Sequence, residues 1–282
     1  MMKRNKSFDH SHPLLYLIAT PIGNLGEMNK RSLEVLEEMD IIAAEDTRNS
    51  KSLLSNFGIH KEMFSLREHN EIEASKHLIS LIKEGKKVAY MSDAGYPGIS
   101  DPGYLLVKCA IENDISVSTI NGACAFINAL VASGLPTDHF YFYGFLPAKE
   151  SETKSICEEM VNRKETIIFY EAPHRIEKTI NLLFEVFGDR EVVIARELTK
   201  LNEEYVRGRL SEFKEFDFST LKGEMVIVLA GNDKETEVDE KTIKERLNYF
   251  INKGLSKKDA TEVVADEYRI NKNIVYKIAI GK

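Results

Sequence analysis

The first half of the chain alternates between short strand patterns and amphipathic helix patterns, and this alternation constrains the fold more than any other feature. Strands are predicted at 14–19, 41–44, 88–91 and 116–120. Asn29 stands where one helix begins. A second helix, closed by Gly85, has apolar residues at helical spacing, namely Ile72, Leu78, Ile79 and Ile82. Strands that alternate with helices form a parallel sheet, so the sequence predicts an N-terminal α/β domain over residues 13–134.

Residues 135–231 carry further strand patterns, which predict a second α/β domain. Its strands are expected at 140–143, 166–170, 191–195, 204–209 and 224–229. Helices are expected at about 153–162 and 175–187. The last two strands lack a long connection, so they are predicted to form an antiparallel pair joined by a short helix. This sheet is therefore expected to be mixed.

The charge of the chain changes from residue 239 onward. Residues 239–282 hold ten basic and seven acidic residues, a net charge of +3, so the rest carries −10 of the total of −7. Three helices are predicted there, the second beginning at Ser256 and the third at Asn271. Residues 1–12 are expected to be a flexible tail. The acidic total argues against non-specific coating of nucleic acid, whereas the basic extension is a candidate RNA contact.

Cysteine content and hydropathy exclude several classes of protein. The cysteines Cys109, Cys124 and Cys157 are odd in number and show no CxxC spacing, so neither a disulfide framework nor a zinc site is predicted. The apolar run at 14–19 is too short to span a membrane, and no secretory pattern precedes it. We therefore expect a cytoplasmic protein with no membrane partner and no bound metal.

The loop at residues 92–103 follows the third strand and is the strongest candidate for a ligand site. It holds three glycines, two prolines and two aspartates, which let the backbone approach a ligand and offer carboxylates to it. Ligands of open α/β sheets bind beyond the carboxyl ends of the strands. The loop matches neither GxGxxG nor a P-loop, so a nicotinamide oxidoreductase or a nucleotide-phosphate site loses support. An ordinary tight turn is the alternative, although twelve residues is long for one.

Polar clusters follow predicted strands at 45–48, 170–175 and 195–200, and a further polar cluster lies at 67–71. A cluster of small residues follows the fourth predicted strand at 121–125. Two of these clusters lie in the second half, and together they suggest one polar cleft between the domains. Each cluster has a structural alternative. Arg48 could form a salt bridge with a helix-capping Asp46, Cys124 is more typical of a small buried residue than of a reactive thiol, and the other charges could simply be solvated.

These segments together resemble the ribosomal RNA small-subunit methyltransferase I family, within the tetrapyrrole methylase superfamily. The resemblance runs from about residue 15 to residue 229. Its motifs occur in the same order at 17–25, 44–48, 92–103, 144–149, 169–171, 174–175, 195–200 and 223–226. The basic three-helix segment is similar to the C-terminal extension of that family.

The resemblance implies a fold, a cofactor and a reaction. The fold would be two α/β domains with S-adenosylmethionine in the cleft between them, in a homodimer that acts on the small ribosomal subunit. The reaction would be 2′-O-methylation of a cytidine ribose in the decoding region of small-subunit (16S) ribosomal RNA.

The resemblance also assigns roles by position. The cofactor would contact Asp93, Ala94, Gly95, Ile99, Ser100, Gly122, Ala123, Cys124 and Ala125. This chain has Asn121-Gly122-Ala123 where the family usually has Pro-Gly-Pro. The catalytic set would be Glu45, Asp46, Arg48 and Glu171. The proton acceptor would be Glu45 or Asp46, with Glu171 or His174 as alternates. The RNA would be held by His69, His174, Arg175, Arg196 and Lys200, and no metal would be needed.

Two other functions are compatible with the same residues. The first is methylation of a tetrapyrrole or another small acceptor on the same fold. The second is a non-enzymatic ribosome-binding protein, which would bind RNA without consuming S-adenosylmethionine. The arginine-bearing cleft and the basic tail favour an RNA acceptor over a tetrapyrrole.

Overall fold

The computed structural model describes residues 14–232, 240–268 and 270–280. The predicted tail at 1–12 and most of the charged linker lie outside the described residues. Those up to Ala230 form one compact unit, and those from Gly231 onward belong to another.

The first sheet has five parallel strands in the order β3, β2, β4, β1, β5. The strands are β1 Leu14–Ile18, β2 Ile41–Ala44, β3 Glu62–Ser65, β4 Val88–Met91 and β5 Ser116–Ile120. The helices are α1 Lys30–Glu38, α2 Thr47–Ser55, α3 Glu71–Lys83, α4 Tyr104–Glu112 and α5 Ala125–Ser133. Every residue of β2 and β4 is buried, as helices on both faces of a parallel sheet require. The predicted parallel α/β architecture is confirmed.

Helix α2 and strand β3 were not predicted from the sequence. Only Met63 and Phe64 are apolar in β3, and the strand lies at the edge of the sheet, where one side has no partner strand. Ile72 has helical spacing but is 61% exposed, so it does not face the core. The predicted cap of α1 is confirmed, because the Asn29 side chain accepts the N–H of Ser32 at 2.9 Å.

The second sheet is mixed, as predicted, with strands in the order β6, β7, β10, β8, β9. The strands are β6 Phe140–Phe145, β7 Thr166–Glu171, β8 Glu191–Arg196, β9 Glu204–Arg209 and β10 Met225–Leu229. Helices α6 Glu150–Met160 and α7 Ile176–Phe187 connect the first three strands. Strands β6 and β7 are parallel, whereas β10 is antiparallel to both β7 and β8.

The predicted antiparallel pairing of the last two strands is wrong. Strand β9 pairs with β8 at the edge of the sheet, and β10 lies on the other side of β8. The physical reason is burial. All five residues of β10 are buried, so it occupies a central position, whereas β9 alternates with exposed charged residues.

Helix α5 packs against the second sheet although it follows the last strand of the first. Its buried residues Ala129 and Leu130 share a hydrophobic cluster with Ile168, Val193 and Val228. The two sheets therefore lie in one compact unit. A domain division at residues 134 and 135 stays a prediction.

The C-terminal segment holds helices α8 Glu240–Asn252, α9 Lys257–Tyr268 and α10 Lys272–Ile280. Leu247, Val264 and Val275 are among the residues of their common core. Both predicted caps are confirmed: Ser256 Oγ accepts the N–H of Asp259 at 3.2 Å, and the Asn271 side chain accepts that of Asn273 at 2.9 Å. Among the described residues, no helix is long and apolar enough to cross a membrane.

A buried glutamate fixes the end of the 92–103 loop. Glu71 is only 8% exposed, and its Oε1 accepts the backbone N–H groups of Gly103 at 2.8 Å and Leu105 at 2.9 Å. These amides lie at the start of α4, where a carboxylate is stabilised by unpaired N–H groups and the helix dipole. Gly103 has φ +135°, and a Cβ there would lie 2.9 Å from the Tyr90 ring. Helix α3 therefore holds the C-terminal end of the loop.

We expect Glu71→Ala to lower the free energy of unfolding by about 1–3 kcal/mol, because two amides of α4 lose a charged acceptor. Denaturant unfolding measures this. Glu73→Ala, on the exposed face of the same helix, should change stability by about 0.5 kcal/mol or less. Equal losses of unfolding free energy in the two variants would contradict the conclusion that Glu71 stabilises the start of α4.

Candidate functional site

Two backbone hydrogen bonds join the loops that follow β1 and β4. The N–H of Thr20 donates to the carbonyl of Gly95 at 2.9 Å, and the N–H of Gly95 donates back at 3.1 Å. The Thr20 hydroxyl also donates to the carbonyl of Ser92 at 3.2 Å. Gly95 has φ +77°, a conformation that glycine adopts without strain. The two loops thus form one platform at the carboxyl ends of adjacent parallel strands, where open α/β sheets bind ligands.

A cavity of about 310 Å³ lies over this platform. Seven of the nine residues predicted to contact a cofactor line it: Asp93, Ala94, Gly95, Ile99, Ser100, Cys124 and Ala125. Gly122 and Ala123 do not. The volume is that of a small-molecule site.

Gly122 shapes the platform from behind the cavity. A Cβ at this position would lie 2.8 Å from both the carbonyl oxygen and the Cβ of Ala19, so only glycine allows the loop after β5 to pack this closely on the end of β1. The N–H of Gly122 donates to the Tyr96 hydroxyl at 3.2 Å, which joins this loop to the 92–103 loop.

The second sheet supplies the opposite wall of the cavity. Tyr170 at the end of β7, Leu198 after β8 and Val226 in β10 line it, together with Phe145 at the end of β6. The sequence prediction selected none of the four as a cofactor contact, although Tyr170 and Leu198 belong to the 170–175 and 195–200 segments that it placed in a polar cleft. Their position at strand ends was visible, but which strands adjoin the platform depends on the strand order of the sheet.

Carboxylates predominate among the charged groups of the cavity. Those that line it are Glu45, Asp93, Asp101, Glu197 and Glu224. Lys200 is the one cation among the described lining residues, and its Nζ pairs with Glu197 at 2.8 Å. The charge of the cavity therefore favours a ligand that carries a positive charge.

Asp101 is the carboxyl group most affected by these surroundings. Burial, followed by the negative charges of Glu45, Asp93 and Glu224, raises the pKa of Asp101 to about 7. Burial and the charge of Asp93 also raise the pKa of Glu45. The sequence prediction covered the 92–103 loop but did not select Asp101. The feature of the sequence that points to Asp101 is that a second aspartate follows Asp93 by eight residues in the same loop.

Asp46 caps a helix and forms a salt bridge with Arg48, which is the structural alternative that the sequence left open. The Asp46 carboxylate caps α2 by accepting the N–H of Arg48 at 2.9 Å, and it binds the Arg48 guanidinium at 2.6 and 3.0 Å. The hydrogen bond from the guanidinium is the main reason that the pKa of Asp46 lies below its usual range. A carboxylate held in this way is a poor proton acceptor, and neither residue lines the cavity.

Glu171 is buried away from the cavity. It accepts hydrogen bonds from the Thr179 hydroxyl at 2.5 Å and from the N–H of Ala172 at 2.8 Å, and it pairs with Arg175 Nε at 3.2 Å. Arg175 also donates to two backbone carbonyls, those of Leu146 and Pro147. These contacts position the loop after β7, so the structure does not place Glu171 where an acceptor could reach it.

The remaining predicted RNA contacts are dispersed. Arg196 pairs with Glu204 at 2.6 Å and is largely buried. His69 is exposed, and His174 lines a separate open cavity of about 400 Å³ on helix α7. Lys200 alone of the five lines the first cavity, where its side chain runs over Gly23. Among the described residues no cluster of three or more metal-ligating side chains occurs.

We expect Arg48→Ala to raise the pKa of Asp46 towards the value of an ordinary aspartate, because the largest cause of its depression is removed. Carboxyl-carbon NMR across a pH titration measures the shift. Arg67→Ala removes a weaker and more distant charge and serves as the matched control. A similar shift of the Asp46 pKa in both variants would contradict the conclusion that its pairing with Arg48 is the main cause of the low pKa.

Sequence comparisons identify relatives over nearly the whole chain. The profile of the Tetrapyrrole (Corrin/Porphyrin) Methylases matches residues 14–214. Ribosomal RNA small subunit methyltransferase I of Streptococcus pyogenes serotype M3 is 43% identical over 266 residues, 93% of each chain. The protein of the same name from Bacillus subtilis (strain 168) is 41% identical over 286 residues, 98% of each chain.

Solved structures share the fold at lower identity. The methyltransferase CobJ superimposes with a TM-score of 0.58 at 16% identity, covering 78% of this chain and 94% of its own. A cobalt precorrin-4 methyltransferase gives a TM-score of 0.56 at 18% identity, covering 78% and 95%. At these identities the likeness concerns the fold alone.

Proposed function

This chain belongs to the tetrapyrrole methylase family, in the group of ribosomal RNA small subunit methyltransferase I proteins, and we propose that it methylates small-subunit ribosomal RNA with S-adenosylmethionine. The proposed acceptor is the 2′-hydroxyl of a cytidine in the decoding region. The observation that carries the proposal is the cavity at the carboxyl edge of the first sheet, with its platform from the 92–103 loop and its surplus of carboxylates.

The residues of the cavity suit the methyl donor. S-adenosylmethionine supplies a methyl group on a positively charged sulfur, and the five carboxylates that line the cavity favour a cation. The small residues Ala94, Gly95 and Ala125 leave room for a ligand against the backbone. Tyr170, Leu198 and Val226 offer apolar surface for its uncharged parts. We assign donor binding to the seven predicted residues that line the cavity, and we assign Gly122 and Ala123 to the support of its wall.

The protein would accelerate the transfer mainly by alignment. Holding two reactants in line lowers a barrier by roughly 7–11 kcal/mol in well-oriented systems. A neutral ribose hydroxyl also needs a proton acceptor within hydrogen-bond reach. Of the four predicted acceptors, Glu45 alone lines the cavity, and its side chain has no hydrogen bond among the described residues. Glu45 is therefore the one acceptor selected from the sequence that remains compatible with the cavity.

The RNA backbone would be held outside the acidic cavity. Phosphates are repelled by carboxylates, so the cations that bind them must lie at its rim or beyond it. Arg48 is exposed and lies three residues after Glu45 in the sequence. Lys200 is the cation at the rim of the cavity. Arg175 and Arg196 are paired with carboxylates and are less exposed than Arg48 and Lys200, and we propose that they shape the loops that contact RNA. A homodimer and a cytoplasmic location complete the proposal on the strength of the family resemblance.

The C-terminal helices would add an RNA contact of their own. Lys253, Lys257 and Lys258 are exposed around the turn between α8 and α9. Exposed lysines can neutralise phosphates of a nucleic acid backbone.

The reaction is tested with methyl-labelled S-adenosylmethionine and small ribosomal subunits from cells that lack this protein. We expect label in RNA, and 2′-O-methylcytidine as the labelled nucleoside after digestion and mass spectrometry. A control reaction offers a corrin precursor instead. A base-methylated nucleoside would contradict the ribose assignment, and label in the corrin precursor alone would favour the tetrapyrrole alternative.

We expect Lys257→Ala combined with Lys258→Ala to weaken RNA binding and to flatten its salt dependence. The slope of log affinity against log salt should fall by roughly one for each phosphate that the variant no longer neutralises. Binding is measured from low to high salt. Lys30→Ala combined with Lys86→Ala, two exposed lysines of the other compact unit, is the matched control. An unchanged slope in the first variant would exclude these helices from the RNA interface.

A further inference from the structure

We propose that Asp101 is the proton acceptor of the methyl transfer, the group that receives the hydrogen of the acceptor hydroxyl. The proposal rests on the proposed function and goes beyond it, because the family resemblance gave Asp101 no role. Glu45 then has a different role, because its negative charge raises the pKa of the neighbouring Asp101.

Asp101 lies in the wall of the cavity. It lies in the 92–103 loop directly after Ile99 and Ser100, and all three residues line the cavity. Ser100 has φ +60°, which is uncommon for a residue with a side chain, so the loop turns sharply just before Asp101. The end of the loop is fixed two residues later, where Gly103 donates to the buried Glu71. Asp101 is therefore held at the cavity by a constrained backbone.

The Asp101 carboxyl group is not engaged by any other group in the part of the chain that the structure describes. Among the described residues it makes no hydrogen bond and no ion pair. By contrast, the Asp93 carboxylate accepts the N–H of Asp46 at 3.2 Å and the Asn49 amide at 2.8 Å. Glu197 is paired with Lys200. Asp101 is only partly exposed, and its carboxylate is available to accept a hydrogen bond from a substrate hydroxyl in the cavity.

The charged groups that act on Asp101 are all carboxylates. Glu45 follows β2, Asp93 follows β4 and Glu224 precedes β10, and their negative charges act on Asp101 together. The nearby phenols Tyr90 and Tyr170 are buried, with pKa values above the ordinary range, and stay uncharged at neutral pH. No cation is among the groups that shift Asp101. These surroundings raise the pKa of Asp101 to about 7, the range in which a carboxylate is the most effective proton acceptor at neutral pH.

Glu45 and Glu224 are less suited to the same task. Burial and the charge of Asp93 raise the pKa of Glu45, but the positive charge of Arg67 opposes part of that rise. Glu224 is an exposed residue, and no neighbour holds its side chain in one place among the described residues. Asp101 combines partial burial, a constrained backbone and an unengaged carboxylate.

Each bond that forms in the proposed methyl transfer is matched by a bond that breaks. The acceptor oxygen forms a bond to the methyl carbon while the bond from that carbon to sulfur breaks. The bonding electron pair goes to sulfur, which loses its positive charge. The hydroxyl proton passes to an Oδ atom of Asp101, and solvent takes it up after the product leaves. No metal and no redox partner takes part in this step.

Asp101→Asn tests the assignment, because it keeps the size of the side chain and removes its basicity. We expect the turnover number to fall by roughly 10²- to 10⁴-fold. We also expect the affinity for S-adenosylmethionine, measured by equilibrium dialysis, to stay within about threefold of the original value. In the unaltered protein the rate should rise with pH to a plateau above about pH 7, as the group with the pKa of about 7 ionises. This rise of the rate with pH is the ascending limb of the profile, and it should be absent in Asp101→Asn.

Two controls separate this role from a structural one. Asp138→Asn makes the same change at an exposed residue outside the cavity and should keep both the rate and the pH profile. Glu45→Gln removes one of the charges that raise the pKa of Asp101. It should therefore shift the limb to lower pH without abolishing it.

A stability measurement guards against misfolding. The folded state keeps the proton of Asp101 up to about pH 7, whereas the unfolded chain releases it near pH 3.8, so ionisation of Asp101 lowers stability as pH rises between these values. Asp101→Asn removes this cost. We expect the variant to have the higher melting temperature, by a margin that is larger at pH 8 than at pH 5.

The assignment is overturned if Asp101→Asn keeps the original rate and ascending limb, or if Glu45→Gln abolishes the limb while Asp101→Asn keeps it. Either result leaves methyl transfer itself intact. Failure of the proposed function would differ, because the unaltered protein would then transfer no methyl group to ribosomal subunits at any pH.

Discussion

The paired backbone hydrogen bonds between Thr20 and Gly95 are the contact on which the site depends. They bind together two loops from neighbouring strands, and every other part of the cavity is built against that platform. Gly122 packs on Ala19 behind it, and Glu71 fixes the far end of the 92–103 loop through Gly103. A loop rich in glycine would otherwise lose much conformational entropy on binding a ligand. Fixing it at both ends lowers that cost before the ligand arrives.

The parallel arrangement of the strands explains why so many carboxylates meet at one place. Strands β2 and β4 end at the same edge of the sheet, so Glu45 and Asp93 come together although 48 positions separate them in the sequence. Some of this charge is neutralised locally, as in the pairs of Asp46 with Arg48 and Glu197 with Lys200. The remainder stays in the cavity. It costs stability but suits a cationic methyl donor and a proton acceptor that works near neutral pH.

Local patterns in the sequence predicted the elements that depend on local physics. The apolar runs gave β2 and β4 with their observed bounds, and the cap at Asn29 gave the start of α1. The order of the second sheet could not be found in the same way. It follows from the burial of β10 against strands on both sides, a property of the whole sheet. For this reason the prediction found the platform but did not select Tyr170 on the opposite wall. The pairing of Asp46 with Arg48 was one of the two alternatives that the sequence left open, whereas the engagement of Glu171 was not predicted.

The central claim is that the cavity over the Thr20 and Gly95 platform binds the methyl donor. Titration calorimetry of the purified protein with S-adenosylmethionine, and separately with its demethylated product, tests this most directly. The account predicts saturable binding of both ligands to the same site, with each displacing the other. A folded protein, verified by circular dichroism, that takes up neither ligand would contradict it.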